Sequence, residues 1–227
     1  MCIRDRVRAN GEANYYCPNE LGCAPQILGR IAHFISRTAL NIESLGSKTI
    51  RGLIQKKLIK DVSDLYNLKF NQLIGLLLYF DEYNKSRSLQ KKSAENIVYA
   101  IEKSKDVSFE LVLFGLGIRY VGKTVAEKLA KHFLSIDNLK KASFEQLIAV
   151  DEIGETIAKS VKEYFLQKEN LEMIDRLKKS GVKLVLEEPS NDMHGNKLLG
   201  LTLVVSGAFL KYDRESIKSM IKLQKGR

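Results

Sequence analysis

The segment GIRYVGKT, residues 117–124, has the residue types and spacing of a phosphate-binding loop. Gly117, Gly122, Lys123 and Thr124 fit the pattern G-x-x-x-x-G-K-[ST], in which backbone N–H groups and a lysine surround phosphate. Further on, the apolar run LIAVDE, residues 147–152, ends in acidic residues, as magnesium-binding segments of nucleotide hydrolases do. The two segments together raise the hypothesis of a nucleotide hydrolase.

The same segment also belongs to an internal repeat, which favours another interpretation. The repeat consists of an apolar residue, a glycine, a small or apolar residue four positions on, and an apolar residue seven positions on. In chain order its four copies are Leu45, Gly46, Ile50 and Leu53; Leu89, Gln90, Ala94 and Ile97; Val121, Gly122, Ala126 and Leu129; and Ile153, Gly154, Ala158 and Val161. Recurrence of this kind indicates a structural unit. Only the third copy carries Gly-Lys-Thr, which a repeated unit does not require.

Each copy predicts a short helix, a turn with glycine, and a second helix. We expect the glycine to let the backbone bend and approach another surface. The first N–H groups of the second helix have no acceptor within it, so they can bind a phosphate oxygen. A phosphate-binding loop of a nucleotide hydrolase would instead need a preceding strand, and the bulky residues 118–121 would obstruct it. We therefore favour binding of a nucleic-acid backbone over nucleotide hydrolysis.

The copies differ in the charges that flank the turn. The third copy has Arg119, Lys123 and Thr124, and the first has Gly46, Ser47 and Lys48. The second has Gln90 in place of glycine and follows the polar stretch of residues 81–88, so we interpret it as degenerate. The fourth carries Asp151, Glu152 and Glu155, which would repel phosphate. We expect the fourth copy to be structural or to contact DNA through N–H groups alone, at Gly154.

Composition agrees with a mainly α-helical protein that binds an anionic partner. The 227 residues include 44% hydrophobic and 28% charged residues, with a net charge of +10. Residues 31–181 contain no proline and are rich in Leu, Ile, Lys, Glu and Ala, which is typical of helices. No apolar run is as long as a membrane span, and residues 1–30 lack a signal-peptide core, so we expect a cytoplasmic protein without a membrane partner. The excess of basic residues favours nucleic acid.

Residues 187–227 have a different pattern. Residues 187–196, which contain Pro, Ser, Asn, Asp and Gly, predict a linker. LTLVVSG, residues 201–207, is β-branched, apolar and closed by glycine, so it predicts a buried strand. Asp213 or Ser216 would then cap a basic helix through Ile217, Met220 and Ile221.

The repeat resembles the helix-hairpin-helix motif of DNA-binding proteins that do not read sequence. The whole order of motifs is similar to the C-terminal half of the bacterial NAD-dependent DNA ligases. The similarity lies in C-P-N-x-x-x-C-x-x-Q at Cys17 and Cys23, HFISRTALNIESLG at residues 33–46, KSAENI at 92–97, GIRYVG at 117–122 and LTLVVSGAF at 201–209. In that family a four-cysteine zinc finger precedes four helix-hairpin-helix motifs and a BRCT domain.

The resemblance implies a division of the chain and a set of ligands. It predicts a partial zinc finger at 1–30, a helix-hairpin-helix domain at 31–186, a linker at 187–196 and a truncated BRCT domain at 197–227. Cys17 and Cys23 would be the second pair of zinc ligands. The leader MCIRDR does not fit the family, so we interpret residues 1–6 as non-native and do not expect Cys2 to be a ligand. His33 is expected to pack or cap, and Arg37 to contact DNA.

The resemblance also implies a partner and a division of labour within a longer enzyme. Sequence-nonspecific contacts to nicked double-stranded DNA would come from Arg37, Gly46, Ser47, Lys48, Arg119, Gly122, Lys123, Thr124 and Gly154. Ser206 and Gly207 would lie where some BRCT domains bind phosphate. NAD and magnesium would serve the full-length enzyme, whose K-x-D-G lysine motif is not in this sequence. We expect this chain to be a monomer without ligase activity of its own. It would belong to a bacterial cytoplasmic enzyme of replication and repair.

Two alternatives from other classes remain open at this point. The repeats could belong to a helix-hairpin-helix module of another repair factor, such as a nuclease subunit or a junction-binding protein. They could also form a nonenzymatic helical scaffold whose basic face binds acidic proteins. The scaffold predicts no steep salt dependence of binding to duplex DNA, and the nucleotide hydrolase predicts ATP binding that is lost in Lys123→Ala.

Overall fold

The chain forms two compact units, residues 1–186 and 187–227, in a computed structural model. The structure describes residues 6–8, 13–15, 17–19, 22–80, 86–186, 198–207 and 214–224. Cys2, most of the 1–6 leader, the 187–196 linker and Asp213 lie outside the described residues. The predicted boundary between residues 30 and 31 falls inside the first helix.

The first unit is built of short helices, as the composition predicts. Its α-helices are α1 (Ala24–Phe34), α2 (Ser47–Gln55), α3 (Phe70–Leu73), α4 (Lys91–Ser104), α5 (Phe109–Gly115), α6 (Lys123–Phe133), α7 (Ile136–Lys141), α8 (Phe144–Ile148), α9 (Glu155–Leu166) and α10 (Lys168–Lys179). A 3₁₀ helix, Val62–Asn67, lies between α2 and α3. The mainly α class is thereby confirmed.

A small antiparallel hairpin separates the first two copies of the repeat. Strand β1 (Leu77–Phe80) pairs with β2 (Ser86–Ser88), with Leu77 opposite Ser88 and an irregularity between Leu77 and Tyr79. Helix α2 packs closely on β1, because a Cβ at Gly52 would lie 3.0 Å from the Leu77 carbonyl oxygen. The glycine therefore permits this close approach of two backbones.

The apolar positions of the repeat form the core of the first unit. In every copy the apolar residue before the cap and the residues four and seven positions after the cap are buried, with no more than 6% of their surface exposed. Helix α6 shows the stripe clearly, since Ala126, Leu129, Ala130 and Phe133 all face inward. This spacing matches the 3.6-residue period of a helix and buries one face of it.

The chain returns to the core after α10. Ile136 N–H donates to the Leu184 carbonyl at 2.9 Å, and Leu186 N–H donates to the Leu134 carbonyl at 2.7 Å. Residues 182 and 184 are buried in the same core. The first unit thus holds its last described residues against the turn between α6 and α7.

The second unit differs from the sequence prediction at its start. Helix α11 (Arg214–Leu223) forms where a basic helix is predicted. LTLVVSG does not form the predicted buried strand: residues 201–206 have no regular secondary structure, and Val204 is 88% exposed. A strand needs a neighbour for its ladder hydrogen bonds, and no described residue of this unit pairs with the segment in that way. β-branched composition alone therefore did not produce a strand.

Candidate nucleic-acid interface

The four copies of the repeat place four helix N-termini in the same backbone geometry. Gly46, Gln90, Gly122 and Gly154 are the N-caps of α2, α4, α6 and α9, with φ from −78° to −84° and ψ from 159° to 178°. In each copy the residue four positions on donates its N–H to the cap carbonyl at 2.9–3.0 Å. None of these caps forms a side-chain hydrogen bond to the helix start. The first N–H groups therefore point outward from exposed caps.

The cap glycines leave open space in front of these helices. A Cβ added to Gly46, Gly122 or Gly154 would meet no atom within 4 Å. Gln90 occupies the equivalent position with the same backbone angles, so the fold itself tolerates a side chain there. The cap glycines are therefore not needed to avoid a clash within the protein. They leave the helix N-terminus accessible to another molecule.

The backbone bends at a different residue from the one expected. The cap glycines have ordinary negative φ, whereas Ser44, Tyr120 and Glu152, each two positions before the cap, have φ of 63° to 64°. The left-handed conformation of these non-glycine residues turns the chain toward the next helix. The second copy does not share this feature, because strand β2 leads directly to its cap.

The third copy presents the predicted basic and hydroxyl groups together. Gly122, Lys123 and Thr124 are exposed at the start of α6. Arg119 lies in the turn before them, with its guanidinium 4.8 Å from the centre of the Tyr120 ring. These groups are on the surface and have the chemistry of phosphate contacts.

The first copy has the same arrangement with fewer charges. Gly46, Ser47 and Lys48 are exposed at the start of α2, and Thr49 is buried behind them. Arg37 is exposed in the turn that follows α1. Gly46, Ser47, Lys48 and Arg37 are the residues of this copy predicted to contact DNA, and all four are exposed.

The second copy is less degenerate than the sequence suggests. Helix α4 begins with the exposed pair Lys91 and Lys92, directly after a cap with the common geometry. The sequence prediction did not include these lysines, because this copy lacks the cap glycine of the other three. Their position immediately after the cap was the signal that would have identified them, since Lys48 and Lys123 also lie within two residues of a cap.

The acidic residues of the fourth copy have a basic partner on α6. Lys128 Nζ lies 2.7 Å from Asp151 Oδ2 and 2.8 Å from Glu152 Oε1. The hydrogen bond from Lys128 lowers the pKa of the Asp151 carboxyl, and the two carboxylates raise the pKa of Lys128. Two of the three acids expected to repel phosphate are thus ion-paired. Glu155 is exposed at the start of α9.

The surroundings of GIRYVGKT are not those of a nucleotide hydrolase. Helix α5 precedes the segment, where a phosphate-binding loop requires a strand. The LIAVDE segment belongs to helix α8 and the turn after it. The match to the loop pattern therefore comes from the third copy of the repeat.

The two predicted zinc ligands lie next to α1. Cys23 is buried and is the N-cap of α1, while Cys17 is half-buried and its carbonyl accepts a hydrogen bond from Gln26 Nε2 at 2.9 Å. Within the described ranges, no group of three or more His, Cys, Asp or Glu residues is arranged to hold a metal ion. A structural zinc site needs four ligands, so these two thiols fit half of one.

His33 has a packing role, as expected. Its Nε2 donates a hydrogen bond to the Phe114 carbonyl at 2.9 Å, and the two rings meet edge to face at 4.7 Å. This contact joins α1 to α5, just before the turn of the third copy.

In the second unit, Ser206 and Gly207 are both exposed. Among the helices that the structure describes, none has the length and apolar character needed to cross a membrane.

Comparison with known proteins agrees with the repeat. A family model described as a helix-hairpin-helix motif matches residues 111–174, which include the third and fourth copies. The chain is 47% identical over 221 residues to a DNA ligase of Flavobacterium psychrophilum, over 97% of this chain and 32% of the relative. DNA ligases of Cytophaga hutchinsonii and Phocaeicola vulgatus are also 47% identical over 226 residues, covering 97% and 100% of this chain.

The chain spans about one third of the length of these curated relatives. Sequence identity of 47% over 97–100% of this chain indicates that the matched part of the relatives has the same fold. The chain is therefore homologous, along almost its whole length, to one segment of the bacterial DNA ligases, and this segment contains helix-hairpin-helix motifs.

Proposed function

We propose that this chain is the DNA-binding part of an NAD-dependent DNA ligase and that it binds the phosphate backbone of nicked double-stranded DNA. The observation that carries the proposal is the set of four exposed helix N-termini with one cap geometry, three of them with open space at a glycine. Backbone N–H groups, hydroxyls and lysines contact phosphates without reading bases. Sequence-independent binding suits an enzyme that must seal nicks anywhere.

The chemistry of ligation would lie in other parts of the enzyme. NAD would adenylate a lysine of a K-x-D-G motif, which these 227 residues do not contain, and magnesium would assist nick sealing. We expect this chain to bind DNA as a monomer and to seal no nicks by itself. In the bacterial cytoplasm, the whole enzyme would act in replication and repair.

Two further parts of the proposal concern the ends of the described chain. Cys17 and Cys23 would hold zinc together with two further ligands, because thiolates are the usual ligands of structural zinc. Ser206 and Gly207 would offer a hydroxyl and a backbone N–H to a phosphate at the start of a BRCT domain. Both assignments come from the resemblance to the ligase family.

The proposal is tested by anisotropy of a labelled nicked duplex over a salt series. If two to four phosphates are contacted, the slope of log affinity against log salt is about −2 to −4. Gly122→Val should weaken binding without unfolding the protein, because its Cβ position is empty and its φ of −78° suits any residue. Lys123→Glu should weaken binding and reduce the slope by about 0.9.

Matched controls come from the same elements. Gly29→Val changes an exposed glycine of α1 that also has open space. Lys131→Glu reverses an exposed charge at the opposite end of α6. Both controls should bind like the parent. A flat salt response, or Gly122→Val and Lys123→Glu binding like the parent, would favour the helical scaffold instead.

A further inference from the structure

The turns and helices of the third and fourth copies are tied together in both directions. Lys128 of α6 contacts Asp151 and Glu152 in the turn before α9. In return, Ser160 Oγ of α9 donates a hydrogen bond of 2.7 Å to the Arg119 carbonyl in the turn before α6. Each helix thus binds the turn of the other copy.

The two ties use equivalent positions of the repeat. Lys128 and Ser160 both lie six positions after their cap glycines, Gly122 and Gly154. Asp151 and Arg119 both lie three positions before them. The two ties are therefore reciprocal in position, but one is ionic and the other is neutral.

The difference between the ties follows the charge of the turn that is bound. The turn with basic Arg119 receives an uncharged serine on its backbone carbonyl. The turn with two carboxylates receives a lysine that contacts both. Asp151 and Glu152 lie three and two residues before the Gly154 cap, and their side chains are 87% and 63% exposed. Without Lys128 their negative charges would therefore repel a phosphate at this cap.

We propose that Lys128 is a positioning residue, which neutralises Asp151 and Glu152 and thereby allows the N-terminus of α9 to bind a phosphate of the duplex. This inference rests on the proposed function. It explains how the fourth copy can bind DNA although the turn before its cap is acidic. Lys128 acts through the two carboxylates and does not itself contact DNA.

The test is a cycle of variants in the nicked-duplex assay. Lys128→Ala should reduce the affinity for the duplex about fivefold or more, because it leaves the two carboxylates unpaired near the bound phosphate. Two like charges about 4 Å apart in water repel by about 1 kcal/mol, which corresponds to about fivefold in a binding constant. Asp151→Asn with Glu152→Gln should bind at least as tightly as the parent. In that neutral background, Lys128→Ala should have no further effect. Lys131→Ala is the matched control, because Lys131 is on the same helix and pairs with Glu127 at 2.6 Å.

The outcomes separate this inference from the proposed function. An equal loss for Lys128→Ala in both backgrounds, with a slope reduced by about 0.9 each time, would show a direct phosphate contact and overturn the inference. Parental affinity of Lys128→Ala would overturn it as well. A parent without salt-dependent duplex binding would overturn the proposed function and the inference together. Thermal unfolding of each variant verifies that the chain is folded, since an exposed ion pair contributes little to stability.

Discussion

Tyr66 and Ser104 form a polar pair within the apolar core of the first unit. Ser104 is 2% exposed and donates its hydroxyl to the Ile101 carbonyl at 2.7 Å. The Tyr66 hydroxyl therefore donates to Ser104 Oγ, at 3.0 Å. Burial raises the pKa of Tyr66 to about 12, although its hydrogen bond with Ser104 acts in the opposite direction. The pair joins the 3₁₀ helix to the end of α4.

This raised pKa predicts a loss of stability in alkali. A folded-state pKa of about 12 exceeds the usual value of 10, so folding favours the protonated phenol. The contribution is complete below pH 10 and is lost as the pH rises to 12. The free energy of unfolding, measured by urea denaturation, should fall by about 2–3 kcal/mol from this residue over that range.

Tyr66→Phe isolates the effect from other groups that titrate in alkali. The variant should lose about 1 kcal/mol at pH 7, because one hydrogen bond of the pair is removed. Between pH 10 and 12 its stability should fall less steeply than that of the parent. Parallel pH profiles of the two proteins would refute the role assigned to Tyr66.

Between elements, Arg176 makes a polar connection between α10 and the 3₁₀ helix. Its two terminal nitrogens lie 2.6 Å from Asp61 Oδ2 and 2.9 Å from Asp64 Oδ1. Asp61 also caps the 3₁₀ helix at Ser63 N–H, and Asp64 accepts the Lys60 N–H at 2.8 Å. One guanidinium therefore fixes two carboxylates that are already held by the backbone, more than 100 residues away in the chain.

Loss of this connection should destabilise the first unit. Arg176→Ala should cost about 1–3 kcal/mol in urea unfolding, since charge-assisted bonds to two partners are lost. Arg176→Lys should restore little, because a lysine does not present the planar fork that holds two carboxylates. Lys168→Ala on the same helix is the control: its Glu172 partner is 3.7 Å away and both groups are exposed. An Arg176→Ala protein as stable as this control would contradict the assignment.

The repeat in the sequence correctly predicted the helices that follow its cap residues. Gly122 and Gly154 begin helices because the pattern of cap and buried positions recurs, and recurrence separates it from chance. The left-handed residues Tyr120 and Glu152 were not predictable, since neither type favours that conformation. The Lys128 pair was equally hidden, because its 23-residue separation from Asp151 has meaning only once two turns meet.

The segment LTLVVSG shows the opposite error. Its composition favours a strand, yet Val204 is exposed and residues 201–206 are not paired in a ladder. Strand formation depends on neighbours that a local pattern does not contain. Helices satisfy their backbone hydrogen bonds internally, so α11 formed where it was predicted.

Across the whole molecule, the core and most of the charge belong to the first unit. The apolar core extends from Ile27 to Leu186 among the residues described. Among the side chains of the second unit that the structure describes, those of residues 198–207, 216–218, 220, 221 and 224, none is buried. Residues 187–227 contain seven basic and five acidic residues, so the first unit retains a net charge of +8 out of +10. Folding and duplex binding should therefore both reside in residues 1–186.

A chain of residues 1–186 should unfold at the same temperature as the whole chain. It should bind the nicked duplex within about twofold of the whole chain and with the same salt slope, because the slope depends on the number of phosphates contacted and the predicted contacts of the four repeats all lie in residues 1–186. A chain of residues 1–166 is the matched truncation: it removes α10 with Arg176 and the buried Ile174 and Leu177, so it should lose cooperative unfolding. A large loss of affinity in the 1–186 chain would place DNA contacts in the second unit, with Ser206 and Gly207 as the first residues to substitute.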